Sequence, residues 1–95
     1  MEEKSKKLAR VLKVLANENR LLILYYLLEK PMTVGELNKK IKNITQSGLS
    51  QHLSMLKAHD LLDSNKEGLN ITYFVKDKKI QKILQVLREN YSKED

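Results

Sequence analysis

Residues 44–53 read ITQSGLSQHL, a run in which hydroxyls, two glutamine amides and a glycine stand between leucines at helical spacing. At about 100° per residue, Leu49, Leu53 and Leu56 share one side of a helix that runs to about His59, with His52 at its edge. Ser47, Ser50, Gln51, Ser54 and Ala58 fall on the other side. Thr45 stands where the N-cap belongs. The outward face is therefore small, neutral and able both to donate and to accept hydrogen bonds.

Upstream, Thr33 and Glu36 in TVGE have capping-box spacing and open a helix of about 34–42. A short break at Asn43 and Ile44 separates it from the helix above, so residues 34–59 form a helix-turn-helix candidate. Further back, Leu8, Val11, Leu12 and Leu15 recur at i, i+3, i+4, i+7 and predict a helix over 4–16 with a basic back of Lys6, Lys7, Arg10 and Lys13. Asn17 can cap a second helix, 18–29, whose LLILYYLL is apolar all round and must be buried on most sides; Pro31 stops it. Downstream, Leu61–Lys66 and Leu69–Val75 are strand-like runs around Glu67-Gly68 and read as a hairpin over about 61–75. A last helix, 77–91, carries Ile80, Ile83, Leu84, Leu87 and Tyr91 on one face. The expected fold is mainly α with a small β-hairpin, a winged helix-turn-helix in the order α-α-α-α-β-β-α, forming one domain over 1–95. No internal repeat or low-complexity segment interrupts it.

Composition narrows the partner. Eighteen Lys+Arg against twelve Asp+Glu give +6, which suits a polyanion such as nucleic acid or an anionic membrane surface. The chain has no cysteine, so disulfides, thiolate metal sites and thiol redox switches are excluded. The longest apolar run, Leu21 to Leu28, has eight residues, against the roughly 20 needed to cross a bilayer. MEEKSKK leads into an amphipathic pattern and not into a signal peptide, so a cytoplasmic protein is expected.

A solvent-facing helix would be served equally well by Lys and Glu, which this chain uses freely elsewhere. Base edges in the major groove instead favour short side chains that allow close approach, with amides and hydroxyls. Phosphates favour cations, and Lys39, Lys40 and Lys42 precede the helix, Lys57 lies near its end and Lys66 in the hairpin. A neutral reader flanked by basic positioning groups is the division of labour that a sequence-reading DNA protein needs. The expected base-reading set is Gln46, Ser47, Gly48, Ser50, Gln51 and Ser54. The expected phosphate and wing set is Thr45, His52, Lys39, Lys40, Lys42, Lys57, Lys66 and Asn70. The bland alternative is a solvated helix that happens to be poor in charge.

LKVLANENRLLILYYLLEKPMTVGEL, ITQSGLSQHLSMLKAHDLL and NKEGLNITYFVKD, in that order, resemble the ArsR/SmtB family of bacterial winged-helix repressors over nearly the whole chain. The family's run L-x-x-L-A-(D/N)-x-x-R-x-x-I-L is matched by Leu12, Leu15, Ala16, Asn17, Arg20, Ile23 and Leu24. Its reading helix, (S/T)-Q-S-x-(V/L)-S-x-H-L-x-x-L, is matched by Thr45, Gln46, Ser47, Leu49, Ser50, His52, Leu53 and Leu56. The resemblance implies a homodimer held by the first and last helices, on an imperfect palindrome of double-stranded DNA, with a reading helix from each protomer in successive major grooves. The dimer set is then Leu8, Val11, Leu12, Leu15, Ile80, Ile83, Leu84, Leu87 and Tyr91.

Several positions depart from the family pattern. Asp60 stands where glycine commonly ends the reading helix, and aspartate visits the left-handed region more readily than most residues. Leu69 stands after Gly68 where arginine is common, which leaves wing contact to Lys66 and Asn70. Gly48 occupies an early helical position at a propensity cost of up to about 1 kcal/mol, while allowing close approach to DNA. Metal-sensing relatives carry cysteines in the segment that here reads MTVGEL, or chelate zinc through carboxylates and histidines of the last helix. Here Asp77 matches, but Lys79 replaces the first histidine, with Asn90 and Lys93 further along. His52 and His59, seven residues apart and so about 10 Å along a helix, are too distant for one ion. Met32, Met55 and the tyrosines are read as core.

The expectation is a regulator, a repressor by resemblance, with no metal, no cofactor and no enzymatic activity. No nucleophile with a base, pair of convergent carboxylates or phosphate loop is present. Two other classes stand beside this reading. One is a membrane-surface protein using the basic first helix, which has a better use at a dimer interface. The other is a winged helix that binds a partner protein in place of DNA, which the neutral reading face and Leu69 leave open.

Overall fold

The structure, a computed structural model, describes residues 1–92. Four helices come first with one short strand among them: Glu2–Leu15 (α1), Glu18–Glu29 (α2), Met32–Thr33 (β1), Val34–Lys40 (α3) and Gln46–Ala58 (α4). Leu62–Glu67 (β2) and Asn70–Val75 (β3) form the wing, and Lys78–Leu87 (α5) closes the chain with a π-helical turn at Arg88–Ser92.

Local chemistry sets most of these boundaries. Asn17 Oδ1 accepts from the amides of Asn19 and Arg20 at 3.0 and 3.1 Å and so starts α2. Lys30, extended ahead of Pro31, ends it. The capping box at α3 is complete: Glu36 N–H donates to Thr33 Oγ1 at 3.1 Å, and Thr33 N–H donates to the Glu36 carboxylate at 3.0 Å. The Thr33 amide donating to it holds the Glu36 carboxyl below its ordinary pKa. At the far end of α4, Leu61 N–H reaches back to Leu56 O and Asp60 N–H to Lys57 O, both at 3.0 Å. Asp60 takes φ 62°, so the helix ends in a Schellman motif with aspartate in the left-handed position.

Leu37, Leu49, Leu53 and Leu56 pack with Ile23, Leu24 and Leu27 of α2, and Val14, Leu15, Met32, Ile41, Leu61, Leu62, Ile80 and Leu84 complete the core. The central helix α2 carries Leu22 outward, so the apolar run is not buried on every side. Asn38 Nδ2 donates to Ile44 O at 3.3 Å and ties α3 to the turn before α4.

The structure corrects the expected layout in four places. The sheet has three strands in the order β1-β3-β2, because Met32 and Thr33 pair antiparallel with Tyr73 and Thr72. That pairing buries Met32, a gain of about 1.5–3 kcal/mol that two residues cannot announce by periodicity. Second, α3 stops at Lys40 because Ile41 turns extended and drops into the core, which leaves Lys42 in the turn. Third, the first helix begins at Glu2 and ends at Leu15, and regular helix at the C-terminus ends at Leu87. Fourth, Leu15, Ile80 and Leu84 are not free for an interface: the bend between α1 and α2, and the packing of α5 on α2, seal them inside the protomer.

Leu84 has no exposed surface whereas Ile83 is 44% exposed, so the two neighbours separate core from surface. Leu84→Ala is expected to lower the urea-unfolding free energy by about 2–5 kcal/mol. Under conditions that keep the chain monomeric, Ile83→Ala should change it by less than about 1 kcal/mol. Equal losses in the two would show that the outer face of α5 is also packed within one chain.

Candidate nucleic-acid interface

The three buried leucines of α4 fix which way its other side chains point. Gln46, Ser47, Gln51 and Ser54 are exposed, and none of them has a side-chain hydrogen bond to the protein among the described residues. Ser50 and Gly48 are half-buried. Thr45 Oγ1 accepts the Gly48 amide at 3.0 Å, so this hydroxyl is committed to capping. A Cβ on Gly48 would meet the side chains of Ile44 and Thr45 at 3.2 Å. The missing side chain thus faces the protein's own turn, and the glycine relieves crowding at the cap instead of opening a path to a base. Met55, expected in the core, is 42% exposed, and it sits one turn along from Gln51 at the edge of the reading face.

The cations lie around this face. Lys39 and Lys40 end α3, Lys42 follows in the turn, and Lys66 lies near the tip of β2; all are exposed. The two ion pairs among the described residues are Lys76–Asp60 and Arg88–Glu29, so none of these lysines has a carboxylate partner within 4.0 Å there. Lys57 Nζ donates to Ser64 Oγ at 2.8 Å, which links the last turn of the reading helix to the base of the wing and leaves two ammonium protons for a phosphate. Asn70 is exposed beside the wing tip. Tyr25, half-buried against the core, and Tyr91, exposed where core packing was expected, line an open cleft beside Lys40 and Lys42.

One contact joins two motif residues, Arg20 and His52, whose meeting their spacing in the sequence does not reveal. Arg20 Nε donates to Val14 O at 2.6 Å and its Nη1 lies 3.4 Å from His52 Nδ1, so a single guanidinium spans the end of α1, the start of α2 and the reading helix. Arginine only donates, hence Nδ1 accepts and the imidazole carries its proton on Nε2. Partial burial first, and the adjacent guanidinium second, push the His52 pKa below its ordinary value of 6.5. At neutral pH the ring is uncharged, a packing group with one Nε2–H able to donate. In the residue order Arg20 and His52 appear as positions of two separate motifs 32 residues apart, with nothing to show that they touch.

A helix bearing short polar groups, braced against a second helix and a hairpin and ringed by free lysines, has the form that a DNA major groove accepts. The family profile for bacterial regulatory proteins of the arsR family matches residues 17–64, the span from the α2 cap through α4 to the wing. The chain belongs to the arsR family. It is 36% identical over 91 residues to the transcriptional activator HlyU of Vibrio cholerae, covering 96% of this chain and 83% of that one. The solved structure of that HlyU superposes with a TM-score of 0.92 at 35% identity, over 98% of this chain and all of the other. The nodulation protein NolR of Rhizobium meliloti is 40% identical over 83 residues, 87% of this chain and 67% of NolR. The crystal structure of the transcriptional repressor BigR from Xylella fastidiosa gives a TM-score of 0.84 at 28% identity, over 100% of this chain and 96% of BigR. The arsR-family chain is therefore a winged helix-turn-helix DNA-binding transcriptional regulator, and its family is one of regulators.

The lowered His52 pKa sets the sign of one pH effect. Above 6.5 the ring is neutral in folded and unfolded chains alike; below it the unfolded chain takes up a proton that the folded one resists, so stability falls as pH drops. Urea midpoints measured from about pH 7.5 down to about pH 5.5 should decline for the wild type and decline less for His52→Gln, whose amide oxygen still accepts from Arg20. Parallel curves would show that His52 is not the responsible group.

Proposed function

We propose that this protein is a homodimeric repressor that reads an imperfect palindrome through Gln46, Ser47, Gln51 and Ser54, and that it does so without a metal signal. The observation that carries the reading is the exposed, neutral α4 face with unpaired lysines on both sides of it. Lys39, Lys40, Lys42 and Lys57 supply phosphate contacts, His52 a neutral donor, and Thr45 orients the helix end. Ser50 and Gly48 stand behind that front as spacers.

Two exposed apolar faces support the dimer. Leu8 and Leu12 are each 52% exposed on α1, and Ile83 and Val86 project from α5, with Val11 and Leu87 half-buried and Tyr91 exposed beside them. Covering such faces is worth about 25 cal/mol per Å² of apolar surface. A two-fold dimer also matches the symmetry of a palindromic site, with half-sites about one helical turn apart.

The metal-independent part rests on donor chemistry. The chain has no cysteine to supply a thiolate. Asp77 Oδ1 accepts from the amides of Lys79 and Ile80 at 2.8 and 3.2 Å and is spent on capping α5. Lys79 beside it repels a cation, Asn90 Nδ2 donates to Val86 O at 2.8 Å, and Lys93 lies outside the described residues. With no sensing chemistry of this kind, occupancy of the operator would follow the protein's own abundance.

Fluorescence anisotropy against duplex from the protein's own upstream region and a scrambled duplex, across salt and with or without zinc, tests the reading. Preference of at least about 10³-fold for the first duplex, unaffected by zinc, is expected. Gln51→Ala should erode that preference by about 1–3 kcal/mol, while Lys40→Ala weakens both duplexes alike and flattens the salt slope. Equal weak binding to both would place the operator elsewhere or give this face a partner other than DNA. In a separate test, Ile83→Glu should give monomers by sedimentation with loss of tight operator binding; a persistent dimer would place the interface elsewhere.

A further inference from the structure

We propose that Leu69 is an apolar wedge that the wing inserts into the base stack at the flank of the operator, so that the protein selects flanking steps by how easily they open. The inference rests on the DNA-binding reading above and extends it to base pairs that α4 does not touch.

Leu69 is 97% exposed, which leaves its whole side chain in water. The turn holds it there. Gly68 has φ 60° at the first of two central positions between Glu67 and Asn70, the pattern of a type II′ hairpin, and it lifts the next residue off the sheet. A single exposed leucine is ordinary on a protein surface, but this one does not stand alone. Ile71 is also exposed just behind it, and Lys66 faces Ile71 across the strand pair, so Leu69 and Ile71 are two exposed apolar side chains with a cation one step back from the tip.

The arm that carries the tip is rigidly tied to the reading helix. Leu61 and Leu62 are buried at its base, and the Lys57–Ser64 bond joins it to the last turn of α4. From Ser64 to Gly68 is about 13 Å at roughly 3.3 Å per residue. Lys66 lies about half that way. With α4 in the major groove, that length takes Lys66 to the flanking phosphate ridge and Leu69 past it, over a minor groove only about 6 Å wide.

The charges favour an apolar contact there. Glu67, exposed at the tip, offsets the charge of Lys66, so the wing gains little from the negative potential of a narrow groove. A leucine gains instead by leaving water between partly unstacked pairs, as wedge residues of minor-groove proteins do. Pyrimidine–purine steps open most readily, so they are the steps this tip would favour.

The test selects random duplexes separately on the full wild-type chain and on Leu69→Ala, then places 2-aminopurine at the flanking step of the winning duplex. The wild-type pool should carry TA or CA at matching positions outside the core, and binding should brighten the 2-aminopurine several-fold. Leu69→Ala should keep the core, lose the flank preference, bind about tenfold more weakly and leave the probe dim. Leu69→Arg should recover affinity with a salt slope steeper by about one per wing, again with a dim probe. The same flanking steps in both pools, or brightening by Leu69→Ala, would overturn the wedge. A pool with a core and no flank preference would overturn it while leaving reading by α4 intact; a pool that never converges would overturn both.

Discussion

The orientation of α4 depends on the burial of Leu49, Leu53 and Leu56 against α2. Three leucines with no exposed surface hold one side of a short helix, so Gln46, Ser47, Gln51 and Ser54 of the opposite side are turned outward with no side-chain hydrogen bond among the described residues. A helix held only by its own propensity would be marginal at this length. The same packing that stabilises the helix therefore leaves its outer face open to solvent, and among the described residues the lysines around it form no ion pair.

Arg20 adds a polar clamp to this apolar hold. Its guanidinium joins a carbonyl near the end of α1 to the ring of His52 on α4, so the bend after α1 and the position of the reading helix are set by one side chain. At the other end of α4 the hold is different: a Schellman turn through Asp60 and the Lys57–Ser64 bond pass the orientation of the helix to the wing. At the opposite end of the fold, Arg88 donates to Tyr25 O at 3.3 Å and approaches Glu29, which binds the C-terminal turn to α2. Thus α2 is the common support, and its apolar sequence reflects contacts on most of its circumference.

Much of this was legible in the residue order because caps and periodicity are local. Asn17, the Thr33–Glu36 box and Thr45 act within three residues of themselves, and each starts its helix where the sequence places it. Asp60 likewise takes the left-handed conformation that its place after the reading helix demands. The reading face was legible for the same reason: its leucines repeat at helical spacing, so its polar residues had to face away. The roles of Gly48, Met55 and Arg20 were not, since each depends on what lies beside it in space.

The sequence by itself determined the order of the helices and the hairpin, the caps that open α2, α3 and α4, and the character of the α4 face, which follow from neighbours three or four residues apart. Only the tertiary structure decided which apolar residues are core and which remain uncovered. Leu84 and Ile83 are indistinguishable as hydrophobes one residue apart, yet one is sealed against α2 and the other faces solvent, because helix rotation relative to a packing partner is not encoded in either residue alone. The same holds for β1, whose two residues become a strand only because Tyr73 and Thr72 are there to pair with them.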